Sequence, residues 1–401
     1  MQVRETSPKV VSANENALSD LSSVLWIMAF TAGAGISNVF YVQSMVDVIG
    51  KSLAMSPADL GLVPASTIGG YSLGLFLLVP LGDRFDRKRL ILLQLGAVVA
   101  SLLVMAMAVN AMMFLIGGLA VGISASFTQQ IPPFASSLAP PAARGRVVGT
   151  VVSAIMLGIL LARTVSGLTS EFLGWRTVFF GAAALMAVVA ILVYWRLPSS
   201  RRTTDLPYSR LMASLWPLVR DHGVLREAML LQFLIFGAFN AFWATLPTLL
   251  EGEPFHLGSA VAGAFGIIGA VGSMAAALAG RLSDRFGPRR VAALSAVTVL
   301  VSFGILQLGQ WSIVALIIGV ATMDAGAQGS LVSNQTRSFA LNPLAQNRIN
   351  TLYTSSMFLG GAMGSAVSTI MWVWSGWTGV MGFCAILVAL ACVVLARRRP
   401  A

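Results

Sequence analysis

Charge is scarce in this sequence: acidic and basic side chains make up 10% of 401 residues, against 57% hydrophobic, and the mean hydropathy is +0.82. Soluble domains carry about 25% charged residues, so a water-soluble globule is excluded. Histidine is almost missing, with only His222 and His256. No set of His, Cys and carboxylate side chains stands at ligand spacing, which argues against a metal site and against a membrane enzyme. The two cysteines, Cys384 and Cys392, lie on one apolar run, about 12 Å apart along a helix and too far for a disulfide. No glycine-rich loop ends in Lys-Ser or Lys-Thr, so an ATP-driven pump is not expected and no cofactor is called for. Residues 1–20 are polar and lack an apolar core, so the first apolar segment is expected to be an uncleaved anchor.

Apolar runs dominate what is there. Segments long enough to cross a bilayer fall at about 22–48, 59–82, 89–109, 111–139, 146–170, 175–197, 225–250, 258–280, 289–309, 311–338, 348–374 and 376–396. The net charge of +11 would suggest nucleic acid as a partner in a soluble chain. Here the bases cluster between alternate segments: Arg84, Arg87, Lys88 and Arg89; Arg144 and Arg146; Arg201, Arg202, Arg210 and Arg220; Arg281, Arg285, Arg289 and Arg290; Arg337 and Arg348; Arg397 to Arg399. The opposite loops hold Lys51 and Arg176 with Asp47, Asp59, Glu171, Glu251 and Glu253. By the positive-inside rule both termini face the cytoplasm, and the partner is a lipid bilayer rather than nucleic acid.

One acid stands apart. Asp324 lies 13 residues beyond Trp311 on a long apolar run, about 20 Å along a helix, and therefore deep in a hydrocarbon core about 30 Å thick. An ionised side chain there costs at least about 2.5–3.5 kcal/mol, so such residues face protein or water and serve ion or substrate movement. Asp324, Gln328 and Gln335 share a helical face, as do Gln232, Phe236, Asn240 and Trp243. With Asn38, Tyr41, Gln43, Gln129 and Gln130 they are candidate cavity residues, suited to a flat or amphiphilic small molecule. Each polar one is alternatively interhelical glue, worth about 0.6 kcal/mol. Pro132 and Pro133 should kink the fourth segment.

The chain repeats itself. LGDRFDRKR at 81–89 matches LSDRFGPRR at 282–290, and Pro141 to Arg146 echoes Pro343 to Arg348. Parallel six-helix repeats about an axis normal to the membrane place a transport site at their interface. The expected layout is a cytoplasmic tail (1–21), a bundle (22–197), a linker (198–224), a second bundle (225–396) and a basic tail (397–401). The linker's centre, YSRLMASLWPLVRD, is either a short amphipathic helix broken at Pro217 or a plain connection.

The duplicated loop resembles the signature of the major facilitator superfamily. Gly280, Leu282, Ser283, Asp284, Arg285, Gly287, Arg289 and Arg290 follow it closely apart from Pro288, and the first copy keeps Asp83, Arg84, Arg87 and Lys88 with Val79 and Asp86 at glycine positions. The resemblance implies an all-α membrane protein of twelve transmembrane helices in two pseudo-symmetric bundles, working as a monomer. It further implies a cytoplasmic gate of Asp83, Arg84, Arg87, Asp284, Arg285 and Arg289, with Asp83 near Arg348 to Thr351 and Asp284 near Arg146 to Thr150.

The fifth segment is similar to that of drug:proton antiporters in Gly149, Gly158 and Gly167, but puts Ala162 and Ser166 at two glycine positions and Arg163 where a proline is usual. The fourth has Gly118, Val121 and Gly122 in place of the family's arginine, glutamine and glycine. Arg163 is therefore expected to serve as counter-ion to Asp324, or else to reach outward to the interface or to Glu171. These readings give a transporter in a bacterial inner membrane, with protons and a small molecule as its partners. Proton-coupled efflux is the first expectation and proton-coupled import the alternative; a receptor or scaffold is disfavoured by the lack of any appended soluble domain.

Overall fold

The computed structural model describes residues 8–140, 143–200, 207–273, 275–342 and 345–397, and among them the chain is helical with no strand. In a bilayer each backbone N–H must find its partner within the protein, and a helix does so within one segment. The long helices are α1 (Pro8–Phe40), α2 (Leu62–Leu78), α3 (Arg87–Ala106), α4 (Ala111–Ala125), α5 (Arg144–Leu173) and α6 (Trp175–Arg196). After the linker come α7 (Gly223–Glu251), α8 (Ser259–Ser273), α9 (Pro288–Gln307), α10 (Ile313–Phe339) and α11 (Gln346–Ala396). Large apolar side chains such as Trp26, Leu93, Phe172, Trp195 and Trp374 stand exposed on the outside, as a protein solvated by lipid requires.

Ten helices among the described residues are long and apolar enough to cross a membrane. The expected eleventh and twelfth segments form one 51-residue helix, α11, interrupted where Ser375 and Gly376 leave helical geometry. The expected eighth is covered by α8 and a helix at Ala275–Phe286, with Met274 between them outside the described residues. The fourth segment bends before its prolines rather than at them. A 3₁₀ stretch, Ser126–Gln130, precedes the short helix Ile131–Leu138, where Pro132 falls in the first turn and its missing N–H costs little.

The ends of the expected bundles are helical as well, and one expectation there, the break at Pro217, is corrected. The polar tail at 1–21 is helical from Pro8, while residues 1–7 lie outside the described residues. The linker forms two helices, Tyr208–Ala213 and Leu215–Asp221, and the break falls at Ser214; Pro217 sits inside the second helix. Leu215 and Leu218 pack with Leu225, Ile349 and Leu352 beneath the second half. Pro141, Ala142, Pro343 and Leu344 of the repeated turn, and Arg201, Arg202, Arg398 and Arg399, lie outside the described residues.

Buried apolar side chains gather in two main clusters, one drawn chiefly from residues 28–197 and the other from 231–395. Within each, small residues bring two helices to backbone contact. A Cβ added to Gly158 on α5 would lie 2.1 Å from the Gly33 carbonyl oxygen on α1; one added to Gly364 on α11 would lie 2.0 Å from that of Gly237 on α7. The two ends of the molecule differ. At the end that carries Lys51 and Glu251 the halves are joined: Lys51 pairs with Glu251, Thr248 Oγ1 donates to Asp47 at 3.0 Å, and Ala260 N donates to Glu171 at 2.7 Å. At the end that carries Asp83, Arg87 and Arg348 they part around a cavity.

Candidate functional site

The cavity, about 560 Å³, runs from exposed Gln346 and Asn347 at the basic end to buried Arg163 and Asp324 at its inner end. One face of α10 supplies Asp324, Gln328, Leu331, Gln335 and Phe339, and one face of α5 supplies Val152, Ile155, Ile159 and Arg163. Both sets follow helical spacing, so each wall is a single stripe. The remaining wall is aromatic: Phe236 stacks on Phe239 at 5.6 Å between centroids and meets Phe358 edge-on at 5.2 Å.

Arg163 is 1% exposed. Its Nε donates to Gln43 Oε1 at 2.7 Å, and Gln43 Nε2 in turn donates to Asn240 Oδ1 at 3.0 Å. The guanidinium carbon lies 4.0 Å from the centroid of the Trp243 ring and 5.4 Å from that of Phe40. A desolvated cation–π contact is worth about 2 kcal/mol and a charged hydrogen bond about 1.5–3 kcal/mol. Together these offset a good part of the several kcal/mol that burying the charge costs, and a carboxylate nearby must supply the rest.

That carboxylate is Asp324, 2% exposed, whose field acts on Arg163 without an ion pair forming between them. Arg163 Nη2 and Asp324 Oδ2 are both buried without a hydrogen-bond partner among the described residues. Glu171 is engaged elsewhere, at the first turn of α8, so the outward alternative for Arg163 is not realised. Helix α8 lies close against both residues. A Cβ on Gly263 would lie 2.5 Å from Arg163 O, one on Gly266 would lie 2.9 Å from Leu160 O, and one on Gly269 would lie 3.2 Å from Asp324 Oδ2. Its glycine face thus packs against α5 and α10 together. The sequence signal for this contact is Gly263, Gly266 and Gly269, glycines three residues apart.

The other candidates divide by position. Gln129, Gln130, Phe236 and Gln328 line the cavity, with Gln130 donating to Gln94 at 2.9 Å. Gln43, Asn240 and Trp243 sit behind its inner end, where they hold Arg163. Asn38, Tyr41 and Gln232 are off the wall. The Asn38 amide turns back to the Ala34 and Gly35 carbonyls, Tyr41 is buried in the 3₁₀ turn Tyr41–Ser44, and Gln232 packs between Ser330 and Met357. They are seam residues, because a polar group inside a helix packed in lipid satisfies itself on the nearest carbonyl or neighbour.

At the mouth, Asp83 pairs with Arg87 at 3.2 Å within its own loop, and Arg348 and Thr351 line the same opening. Arg84 stacks on Phe85, while Asp284 is exposed beside Arg285, which stacks on Phe286. Arg289 pairs with Glu227 at 3.8 Å and donates to the Leu395 and Arg397 carbonyls.

The Major Facilitator Superfamily profile matches residues 25–337 and 273–401. Among curated proteins the chain is similar to "Uncharacterized transporter YgaY" of Escherichia coli O157:H7, 35% identical over 89% of this chain and 91% of that one. It is also similar to a "Probable transporter" of Streptomyces coelicolor, 30% identical over 88% and 82%, and to a "Probable sugar efflux transporter" of Helicobacter acinonychis, 24% identical over 87% and 88%. Among solved structures, the D-xylose-proton symporter aligns with a TM-score of 0.77 at 15% identity, over 94% of this chain and 98% of that one. A bacterial homolog of the human lysosomal transporter Spinster, in an inward-facing and unoccupied conformation, aligns with a TM-score of 0.76 at 15% identity, over 95% and 99%. At such identities these likenesses concern the fold.

Proposed function

Since the chain belongs to the Major Facilitator Superfamily, we propose that this multi-pass transporter couples export of a small amphiphilic compound to proton entry by alternating access, with Asp324 as the proton carrier. The observation that carries the reading is the Asp324 carboxyl group, buried on the cavity wall, with Oδ2 lacking a hydrogen-bond partner among the described residues. The bases on the Asp83 side support a reading in which that end, and both termini, face the cytoplasm, with a bacterial inner membrane as the proposed location. The two six-helix bundles, 22–197 and 225–396, are the bodies that rock, and the cavity opens to the cytoplasm in this arrangement.

Coupling follows from the cost of a bare charge. A carboxylate left ionised and unpartnered in the hydrocarbon region costs about 2.5–3.5 kcal/mol or more, so the closed intermediate is accessible when a proton or a positive group of the substrate occupies Asp324. Substrate entering from the cytoplasm takes the site; the Asp83 end closes, and the Asp47 and Glu251 end opens. Substrate leaves, a proton from outside replaces it, and the carrier returns. The likeness to the "Probable sugar efflux transporter" of Helicobacter acinonychis supports the outward direction.

The test is accumulation of candidate compounds in loaded cells, with and without a protonophore. Asp324→Asn is expected to abolish gradient-driven export and to leave exchange down a gradient. Robust uphill export by that variant removes Asp324 from the coupling step, and protonophore-sensitive accumulation inside the cell reverses the direction.

A further inference from the structure

The inner end of the cavity holds one positive and one negative side chain that do not pair with each other. Had Arg163 and Asp324 served only as mutual counter-ions, the low dielectric would have drawn them into contact, because a direct pair recovers more of the burial cost than a separated one. Instead the guanidinium is tied at Nε to Gln43 and pinned against Trp243, while the carboxylate lies against Gly269 of α8. Each side chain borders the same cavity and keeps a polar atom with no hydrogen-bond partner among the described residues: Nη2, a donor, and Oδ2, an acceptor.

A purely cationic ligand would meet Asp324 but stand beside the unscreened guanidinium. A purely anionic one would meet Arg163 beside the carboxylate. Either arrangement adds a like-charge term at short range in a dry site, where it is strongest. One molecule with both charges gains at both ends.

Building on the reading of this cavity as the transport site, we propose that the substrate is a small zwitterion, with its carboxylate on Arg163, its ammonium group on Asp324 and its apolar body against Phe236, Phe239 and Phe358. The proposal explains why the base was placed on α5 and the acid on α10: the two charges belong to different halves, and a zwitterion bridges them. It also sets the charge balance of the cycle. The substrate crosses with no net charge and a proton returns in its place, so each exchange carries one positive charge inward, and an inside-negative potential drives export.

The experiment measures binding to the purified full chain with matched ligand sets. L-phenylalanine is compared with 2-phenylethylamine and 3-phenylpropanoate; L-leucine with 3-methylbutylamine and 4-methylpentanoate; the dipeptide Ala-Phe with its des-amino and decarboxylated forms. The expected result is that at least one zwitterion binds about tenfold or more tightly than both of its singly charged counterparts. Arg163→Gln should erase the advantage of the zwitterion over the matching amine, and Asp324→Asn its advantage over the matching acid. The wild-type comparison stands even if either variant fails to fold. Equal or tighter binding of an amine or an acid, or no binding by any of the three zwitterions, overturns the proposal. A singly charged compound exported with Asp324-dependent coupling leaves the transport reading intact and sinks this one. A zwitterion that binds as expected but shows no proton-linked movement does the reverse.

Discussion

Arg163 shows how much chemistry a single buried charge needs around it. Its side chain uses an amide from the 3₁₀ turn Tyr41–Ser44, two aromatic rings and the field of a carboxylate on another helix. The ring of Trp243 lies close enough for a cation–π contact worth about 2 kcal/mol in a desolvated site. Trp243→Leu is therefore expected to lower the melting temperature of the purified protein, and to lower it much less in an Arg163→Met background. Equal drops in both backgrounds would mean that Trp243 contributes packing alone. Asp324 and Arg163 were legible as charges deep in apolar runs. Their separation was not, since Gln43 and Trp243, which engage the guanidinium, come from other segments of the chain.

Among the helices, close contact decides what can be substituted. A Cβ at Gly158 would meet the backbone of Gly33, which cannot swing away like a side-chain tip, so Gly158→Ala forces α1 and α5 apart at a cost of about 1–3 kcal/mol. Gly181 on α6 has nothing within 4 Å of its Cβ site, and Ala there should gain the helix-propensity difference of up to about 1 kcal/mol. Thermal melts of the two variants should move in opposite directions. The 3₁₀ turn between α1 and the short helix Val46–Ser52 was hidden from apolar periodicity, because its residues are as buried as a helix would make them.

Over the whole molecule, the proposed cycle makes the joined end and the open end two halves of one switch. Asp47 lies just outside the span Ser23–Ser44 in the short helix Val46–Ser52. Desolvation first, and the charge of Glu251 second, push its carboxyl up to about 6, against the opposing effects of Thr248 and Lys51. When this end opens, the group returns to water and to an ordinary value of about 4. The joined state then binds the proton more tightly. Joining is favoured as pH falls from about 6 to about 4, and the advantage is absent above about 6. Distances between spin labels on the two halves at this end should shorten over that range, and Asp47→Asn should flatten the response. An unchanged slope in that variant would assign the pH dependence to another group. Linking Lys51→Cys to Glu251→Cys with a short bifunctional reagent should hold this end shut and stop transport, with reduction of a cleavable linker restoring it.

Composition and patterning alone determined that the chain lives in a bilayer, that it is helical, which end of it is basic and that its halves repeat. Each of these follows from the cost of exposing polar backbone or charge to hydrocarbon, and such costs are read off one segment at a time. Tertiary structure decided the rest: that Gln43 and Asn240 support Arg163 rather than line the cavity, that Asn38 and Gln232 serve the seams, and that Asp47 and Lys51 meet Thr248 and Glu251 about two hundred residues away. A polar residue on an apolar helix has several ways to be satisfied, and the choice among them is made by the helix that packs against it.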